Sequence, residues 1–124
     1  MSVIVTDTGF GPDSWSAQGS VDLPPDIDPT TMVRKMHTLR AIRIDFPSFA
    51  DGRGFTIARQ LRLMGFTGRL RARGHVLADQ YAMARRSGFD EVEINDAMAA
   101  RQPESQWLAR ADWQRHDYQS RLRG

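Results

Sequence analysis

Ala41-Ile-Arg-Ile-Asp-Phe46, Gly68-Arg-Leu-Arg-Ala-Arg73 and Asp90-Glu-Val-Glu-Ile94 each alternate apolar and polar residues, the period of a β-strand. Two segments of helical period lie between them. After Phe46 a loop, Pro47-Ser-Phe-Ala-Asp-Gly-Arg-Gly54, leads into a helix reaching Met64, with Ile57, Ala58, Leu61 and Met64 on one face. Gly65 ends it. After Arg73, Gly74-His75 reads as a tight turn and a helix is predicted over 76–86, with Leu77, Tyr81 and Ala84 on one face and Gly88 as its end. Strand–helix–strand–helix–strand with short links requires right-handed βαβ crossovers. The expected class is therefore α/β: a small parallel sheet of three to four strands built from βαβ units, with helices mainly on one face.

Outward from this 39–94 core the signals weaken. In the variable N-terminal segment, 1–38, Val3-Ile-Val5 reads as a short strand, and 9–25 reads as loop with Trp15 as an anchor on the core. Asp28-Pro29 is a helix start, with Asp as cap and Pro in first position, predicting a helix over 29–37. The C-terminal segment, 95–124, reads as a helical extension. Pro103-Glu104 opens a helix carrying Trp107, Leu108 and Ala111, and 116–124 is a polar end expected to fray. With 124 residues the chain is long enough for one domain, 1–124.

Composition excludes several function classes. The chain has no cysteine, so disulfides, thiolate metal sites and thiol redox chemistry are absent. His37, His75 and His116 lack metal-ligand spacing, and there is no nucleophile elbow, phosphate-binding loop or dinucleotide fingerprint. No cofactor or metal is expected. Net charge is +2, too small an excess to point to nucleic acid. The N-terminus lacks the basic and apolar regions of a signal peptide, and no apolar run approaches the ~18 residues of a membrane span. The reading is a cytoplasmic protein without a membrane partner.

The alternation has a second consequence. Strands of a parallel sheet are usually buried on both faces and read as continuous apolar runs. Here Ile42, Ile44, Phe46, Leu70, Ala72, Val92 and Ile94 share one face, while Arg43, Asp45, Arg69, Arg71, Arg73, Glu91 and Glu93 share the other. If the strands pair in sequence order, the arginine strand lies between two carboxylate-bearing strands and pairs across both. Two readings stand: a solvated face carrying ordinary surface pairs, or a partner surface, homodimer contact or barrel-like interior.

Ligands of parallel α/β folds gather at the carboxyl ends of the strands. The loop Phe49-Ala-Asp-Gly-Arg-Gly-Phe55 lies there and feeds a helix start, where backbone N–H groups and the dipole favour an anion. Gly52 and Gly54 allow close backbone approach, and Arg53 supplies a forked cation. The alternative is that Asp51 caps the helix and the glycines only make the turn. Arg73 and Gly74 end the next strand, so Arg53 and Arg73 are placed to clamp a small oxyanion. His75 is an acid–base candidate. Asp79 and Gln80 follow in the next helix, and whichever faces inward needs a partner. Trp107 and Trp113 read as core or lid.

Ile44-Asp-Phe-Pro-Ser-Phe-Ala-Asp-Gly-Arg-Gly-Phe-Thr-Ile-Ala-Arg-Gln-Leu-Arg62, Gly65-Phe-Thr-Gly-Arg-Leu-Arg-Ala-Arg-Gly74, Val76-Leu-Ala-Asp-Gln80 and Gly88-Phe-Asp90 resemble, in order and spacing, the core of the bacterial family DUF934. Tyr118-Gln119 is similar to a terminal Tyr-Gln of that family. The resemblance covers 41–94 and implies a role beside sulfite reductase in sulfur assimilation, with Asp51, Gly52, Arg53, Arg71, Gly74, Asp79 and Gln80 as motif positions. The chain departs from the family pattern at His75, where an acidic residue is typical, and at Ser87, where many members carry cysteine. The expected function is an accessory or interaction protein of assimilatory sulfite reduction that binds a small oxyanion at the strand ends. The alternative is an enzyme acting on an anionic substrate through an arginine clamp and an Asp/His acid–base. A third reading is a polar network of Asp51, Asp79 and the arginines that locks loop to helix without a ligand.

Overall fold

The computed structural model describes residues 2–114; the polar end and Tyr118-Gln119 lie outside them. Three strands form where the alternation places them: β4 (Ala41–Phe46), β5 (Arg69–Gly74) and β6 (Glu91–Asn95). They pair in parallel in sequence order, Ile42 opposite Leu70 and Ala72 opposite Val92. Helix α1 (Arg53–Leu63) links β4 to β5, and α2 (Tyr81–Ser87) links β5 to β6.

The sheet is larger than the three to four strands expected. It has six, in the order β2-β1-β6-β5-β4-β3. β3 (Ser20–Leu23) adds a parallel edge to β4, and the hairpin of β1 (Ser2–Thr6) and β2 (Gly9–Gly11) adds antiparallel strands beyond β6. Both β2 and β3 lie in the segment read as loop. They are three and four residues long, and their strand character comes from the ladder offered by a neighbour, which local pattern does not report.

Apolar sheet residues pack on one side. Ile42, Ile44, Leu70, Ala72 and Val92 are fully buried beneath Ala58 and Leu61 of α1 and Tyr81 and Ala84 of α2. Full burial of each large side chain is worth roughly 1.5–3 kcal/mol, so this layer dominates the fold. The helical face predicted for α1 is the buried one, through Ile57, Ala58 and Leu61.

Two helices differ from expectation. The 29–37 helix is two short 3₁₀ turns, Pro29–Met32 and Met36–Thr38, with Asp28 capping the first through the Thr30 N–H. The 76–86 helix starts late: Leu77 is extended, Ala78–Gln80 is a 3₁₀ turn, and α2 proper follows. Two side chains hold this entry open. Gln102 Oε1 accepts from the Ala78 N–H at 2.6 Å and Gln80 Oε1 from the Leu77 N–H at 2.9 Å. Leu77 is therefore exposed rather than on a buried helical face. At the C-terminal side, α3 (Asp96–Arg101) and α4 (Glu104–Leu108) pack Trp107 into the core against Tyr81; Ala111 lies beyond α4. Among the described residues no helix is long and apolar enough to cross a membrane.

Gly54 shows how tightly α1 seats on the sheet. A Cβ there would lie 2.5 Å from Cζ of Phe46, a buried ring packed against Phe55 and Phe89. Gly54→Ala gains at most about 1 kcal/mol of helix propensity and incurs about 1–3 kcal/mol of overpacking. The expected net is a lower urea midpoint with unchanged secondary structure by circular dichroism. A midpoint equal to or above wild type contradicts this packing role.

Candidate functional site

The two loops at the strand carboxyl ends meet. The Phe46 carbonyl accepts the His75 N–H at 2.9 Å and lies 3.2 Å from His75 Nδ1. The Phe49 and His75 rings stand edge to face at 5.1 Å, and Gln80 Nε2 reaches the Phe49 carbonyl at 3.5 Å. Gly74, at φ +117°, makes the approach possible, because a Cβ there would sit 2.6 Å from the Phe46 oxygen. His75 is exposed, and so are Phe49 and Leu77 beside it.

The charged residues of the predicted site do not converge. Arg53 turns back on Asp51, with Nε to Oδ1 at 3.0 Å and Nη2 to Oδ2 at 2.7 Å. Asp51 Oδ1 also accepts the Arg53 N–H, so an internal carboxylate occupies the start of α1 where an oxyanion was expected. Arg53 hydrogen bonding holds the Asp51 carboxyl below its ordinary value. Gly52 makes the cap of α1, and Gly54 packs on the Phe46 ring rather than facing an anion. Arg73 pairs with Asp45 at 2.6 Å and approaches Asp22 at 3.5 Å. The depression beside Arg53 is lined by Asp26, Ile27, Thr56 and Gln60 among others, and Arg73 is not part of it. Asp79 is largely exposed and pairs with Arg110. The arrangement thus offers no shared Arg53–Arg73 clamp.

Topology gives the reason. The parallel strands run β3, β4, β5, β6 in unbroken order, so each crossover steps the same way and the helices collect on one face. A ligand crevice at strand ends forms where strand order reverses and neighbouring loops diverge. No reversal occurs between these parallel strands.

The densest charge cluster lies instead on the opposite sheet face. Arg71 is fully buried. Its Nε donates to Glu91 at 2.5 Å, and its Nη1 donates to Glu93 at 2.7 Å and Asp13 at 2.9 Å. Its Nη2 is buried without a hydrogen-bond partner among the described residues. Arg69 chelates Glu91, and Arg43 bridges Asp22 and Glu93. The predicted pairing of the arginine strand across both neighbours is thus realised. The chain's own Asp13, Ser14 and Trp15 lie over the middle of this face, while Arg73, Asp45 and Asp22 toward its edge stay partly exposed. Trp15 stacks over Arg71, Arg43 and Arg69 at 4.7, 5.0 and 5.4 Å. Trp15 is an anchor as expected, but on guanidinium groups rather than the apolar core.

Sequence reading missed several structural polar residues. Arg62 donates to the carbonyls of Gly88, Phe66 and Gly68 and pairs with Asp90, tying the ends of α1 and α2 to the start of β5. Asp7 accepts from Tyr81 Oη at 2.5 Å and pairs with Arg85. Burial and the Asp7 bond push the Tyr81 phenol far up, so it stays protonated. These partners are 26 and 74 residues apart, and no local pattern announces them.

The family model described as "Bacterial protein of unknown function (DUF934)" matches residues 20–124. The match begins at β3 and so extends beyond the 41–94 motifs at both ends. No curated protein and no solved structure matches the chain.

Removing the buried cation leaves Glu91 with Arg69 alone and Glu93 with Arg43 alone, so the cost falls below that of a fully stranded buried charge, at about 2–3 kcal/mol. Arg71→Met should therefore lower the free energy of urea unfolding by that amount; a loss under ~1 kcal/mol contradicts the role given to Arg71. Acid should act on the same face. Hydrogen bonding from Arg43 lowers the Asp22 carboxyl below its ordinary 3.8. For Asp13 burial pushes upward, but the Trp15 N–H and Arg71 outweigh it and the net shift is downward. Carboxyls lowered on folding stabilise the protein fully above 3.8 and lose that contribution as pH falls through their folded values. Urea midpoints measured in this range should decline with acid in wild type and decline less in Asp22→Asn.

Proposed function

The chain belongs to the DUF934 family, and on that premise we propose that it is an accessory protein of assimilatory sulfite reduction that works by docking to the reductase. The sulfur context rests on the family resemblance of the 41–94 motifs. The mode of action rests on one observation: at the strand ends the charges are satisfied within the chain while apolar side chains are exposed. Arg53 and Arg73 hold Asp51 and Asp45, whereas Phe49 is 40% and Leu77 37% exposed beside His75. Self-paired charges lose little when a partner covers them, and exposed aromatic and aliphatic groups gain by being covered.

Docking suits this chain better than a redox step of its own. Reducing sulfite needs a flavin, haem or iron–sulfur group, and a chain without cysteine supplies no thiolate to hold a cluster. The enzyme alternative depended on Arg53 and Arg73 sharing a substrate, and their separate pairs give it no support. The same pairing gives an oxyanion at the start of α1 no support.

The test is co-purification with the sulfite reductase of the same organism, together with growth on sulfite after deletion of the gene. A complex that Phe49→Ser weakens about tenfold or more, or ~1.4 kcal/mol, with a melting temperature near wild type, is the expected result. Absence of a complex combined with normal sulfite-dependent growth overturns the proposal.

A further inference from the structure

The outer faces of α1 and α2 carry a different surface, away from the strand ends. A cleft of about 550 Å³ opens between them, lined by Arg59, Arg62, Leu63, Arg86, Ser87 and Trp113. Among the described residues no carboxylate lines it; Asp79 and Asp112 line the smaller depression on the other side of Arg86 and Trp113. Arg62 is engaged by Asp90 and three carbonyls. Arg59 and Arg86 are exposed and hold no ion pair among the described residues. This contrasts with the sheet and the strand-end loops, where Arg43, Arg53, Arg69, Arg71 and Arg73 each have a carboxylate.

The cleft is also apolar at its rims. Leu63, 80% exposed, is the most exposed large hydrophobic residue described, and Met83, 51% exposed, lies on a shallower shoulder shared with Phe55 and Arg59. Trp113 forms a fixed wall: its Nε1 donates to Asp7 and its ring stacks on Arg85 at 4.6 Å. Ser87 is turned away, donating to the Met83 carbonyl.

We propose that this cleft is a docking site for an acidic, leucine-like segment of a protein partner. The charge sets the occupant's sign, since two unpaired guanidinium groups favour carboxylates in forked geometry. Leu63, Met83 and Trp113 set its apolar side. Nucleic acid fits poorly, because its affinity grows with the number of phosphates neutralised and, among the described residues lining the cleft, Arg59 and Arg86 are the two without an ion pair. From Phe55 to Leu63 the groove follows α1 for about 12 Å, room for about four extended residues. The inference does not rest on the strand-end reading.

Fluorescence anisotropy with a labelled glutamate–leucine peptide tests it, against a lysine–leucine peptide, a single-stranded oligonucleotide and inorganic sulfate. Wild type should bind the acidic peptide and not the basic one. Binding should weaken as salt rises from about 0.1 M to about 1 M, where the screening length shrinks from ~10 to ~3 Å. Arg59→Glu/Arg86→Glu should weaken it at least tenfold, with a melting curve near wild type because both side chains are exposed. Leu63→Ser should weaken it without changing the salt slope. Phe49→Ser should leave it unchanged, which separates this site from the strand ends. Equal binding of both peptides, tighter binding of the oligonucleotide, displacement by sulfate beyond the ionic-strength effect, or indifference to the double reversal would each overturn the proposal.

Discussion

A guanidinium with no exposed surface must be surrounded by groups that neutralise it, and Arg71 has Glu91, Glu93 and Asp13. Much of the fold is arranged around that requirement. β5 must lie next to β6 for the two glutamates to reach it, and the 12–18 segment must cross the sheet for Asp13 and Trp15 to close over it. Glu93 also takes Arg43 from β4, so one carboxylate spans three strands. The cluster gives the polar face a defined register, because a one-residue slip of β5 would send Arg71 into the apolar layer and Leu70 or Ala72 into the ionic one.

The sheet thereby has two unlike coverings. Helices pack on the apolar face, where burial supplies the driving force. An irregular segment with one aromatic ring suffices on the other, because its charges are already paired and need exclusion of water more than contact area. Cation–π contacts are worth about 0.5–2 kcal/mol each depending on desolvation, and Trp15 makes three of them. This is how a parallel sheet tolerates strands that alternate.

Strand order governs where function can reside. Crossovers stepping in one direction put α1 and α2 side by side and leave the strand ends without a crevice. The Asp-Gly-Arg-Gly loop therefore folds on itself: Asp51 holds Arg53, and Gly54 makes room for Phe46. The surfaces proposed for partners are the apolar rim around His75 and the cationic cleft between the helices. They differ in chemistry.

How much of this was legible depends on the range of the interaction that decides it. The alternation of 41–46, 68–73 and 90–94 specified three strands and their two faces, because side-chain direction in a strand follows from residue parity; the helices between them implied parallel pairing, and the meeting of arginines with carboxylates followed on condition that the strands pair in sequence order. The face of α1 followed from helical period in the same way. Residues 9–11 carry no such period and the alternation of Ser20-Val-Asp-Leu23 spans four residues, too short to stand out from the Gly- and Pro-rich stretch around it, and both became strands where β1 and β4 offered free backbone groups. Leu77 left its predicted helical face because Gln102, a distant residue, holds the Ala78 N–H. For the site, the sequence placed Arg53 and Arg73 at adjacent strand ends but left their partners open, and proximity to Asp51 and Asp45 decided that. Periodicity is a one-dimensional record of burial, so the sequence by itself determined the layers. Which charge meets which, what covers the polar face and which arginines stay free are set by distances between remote residues, and only the tertiary structure decided them.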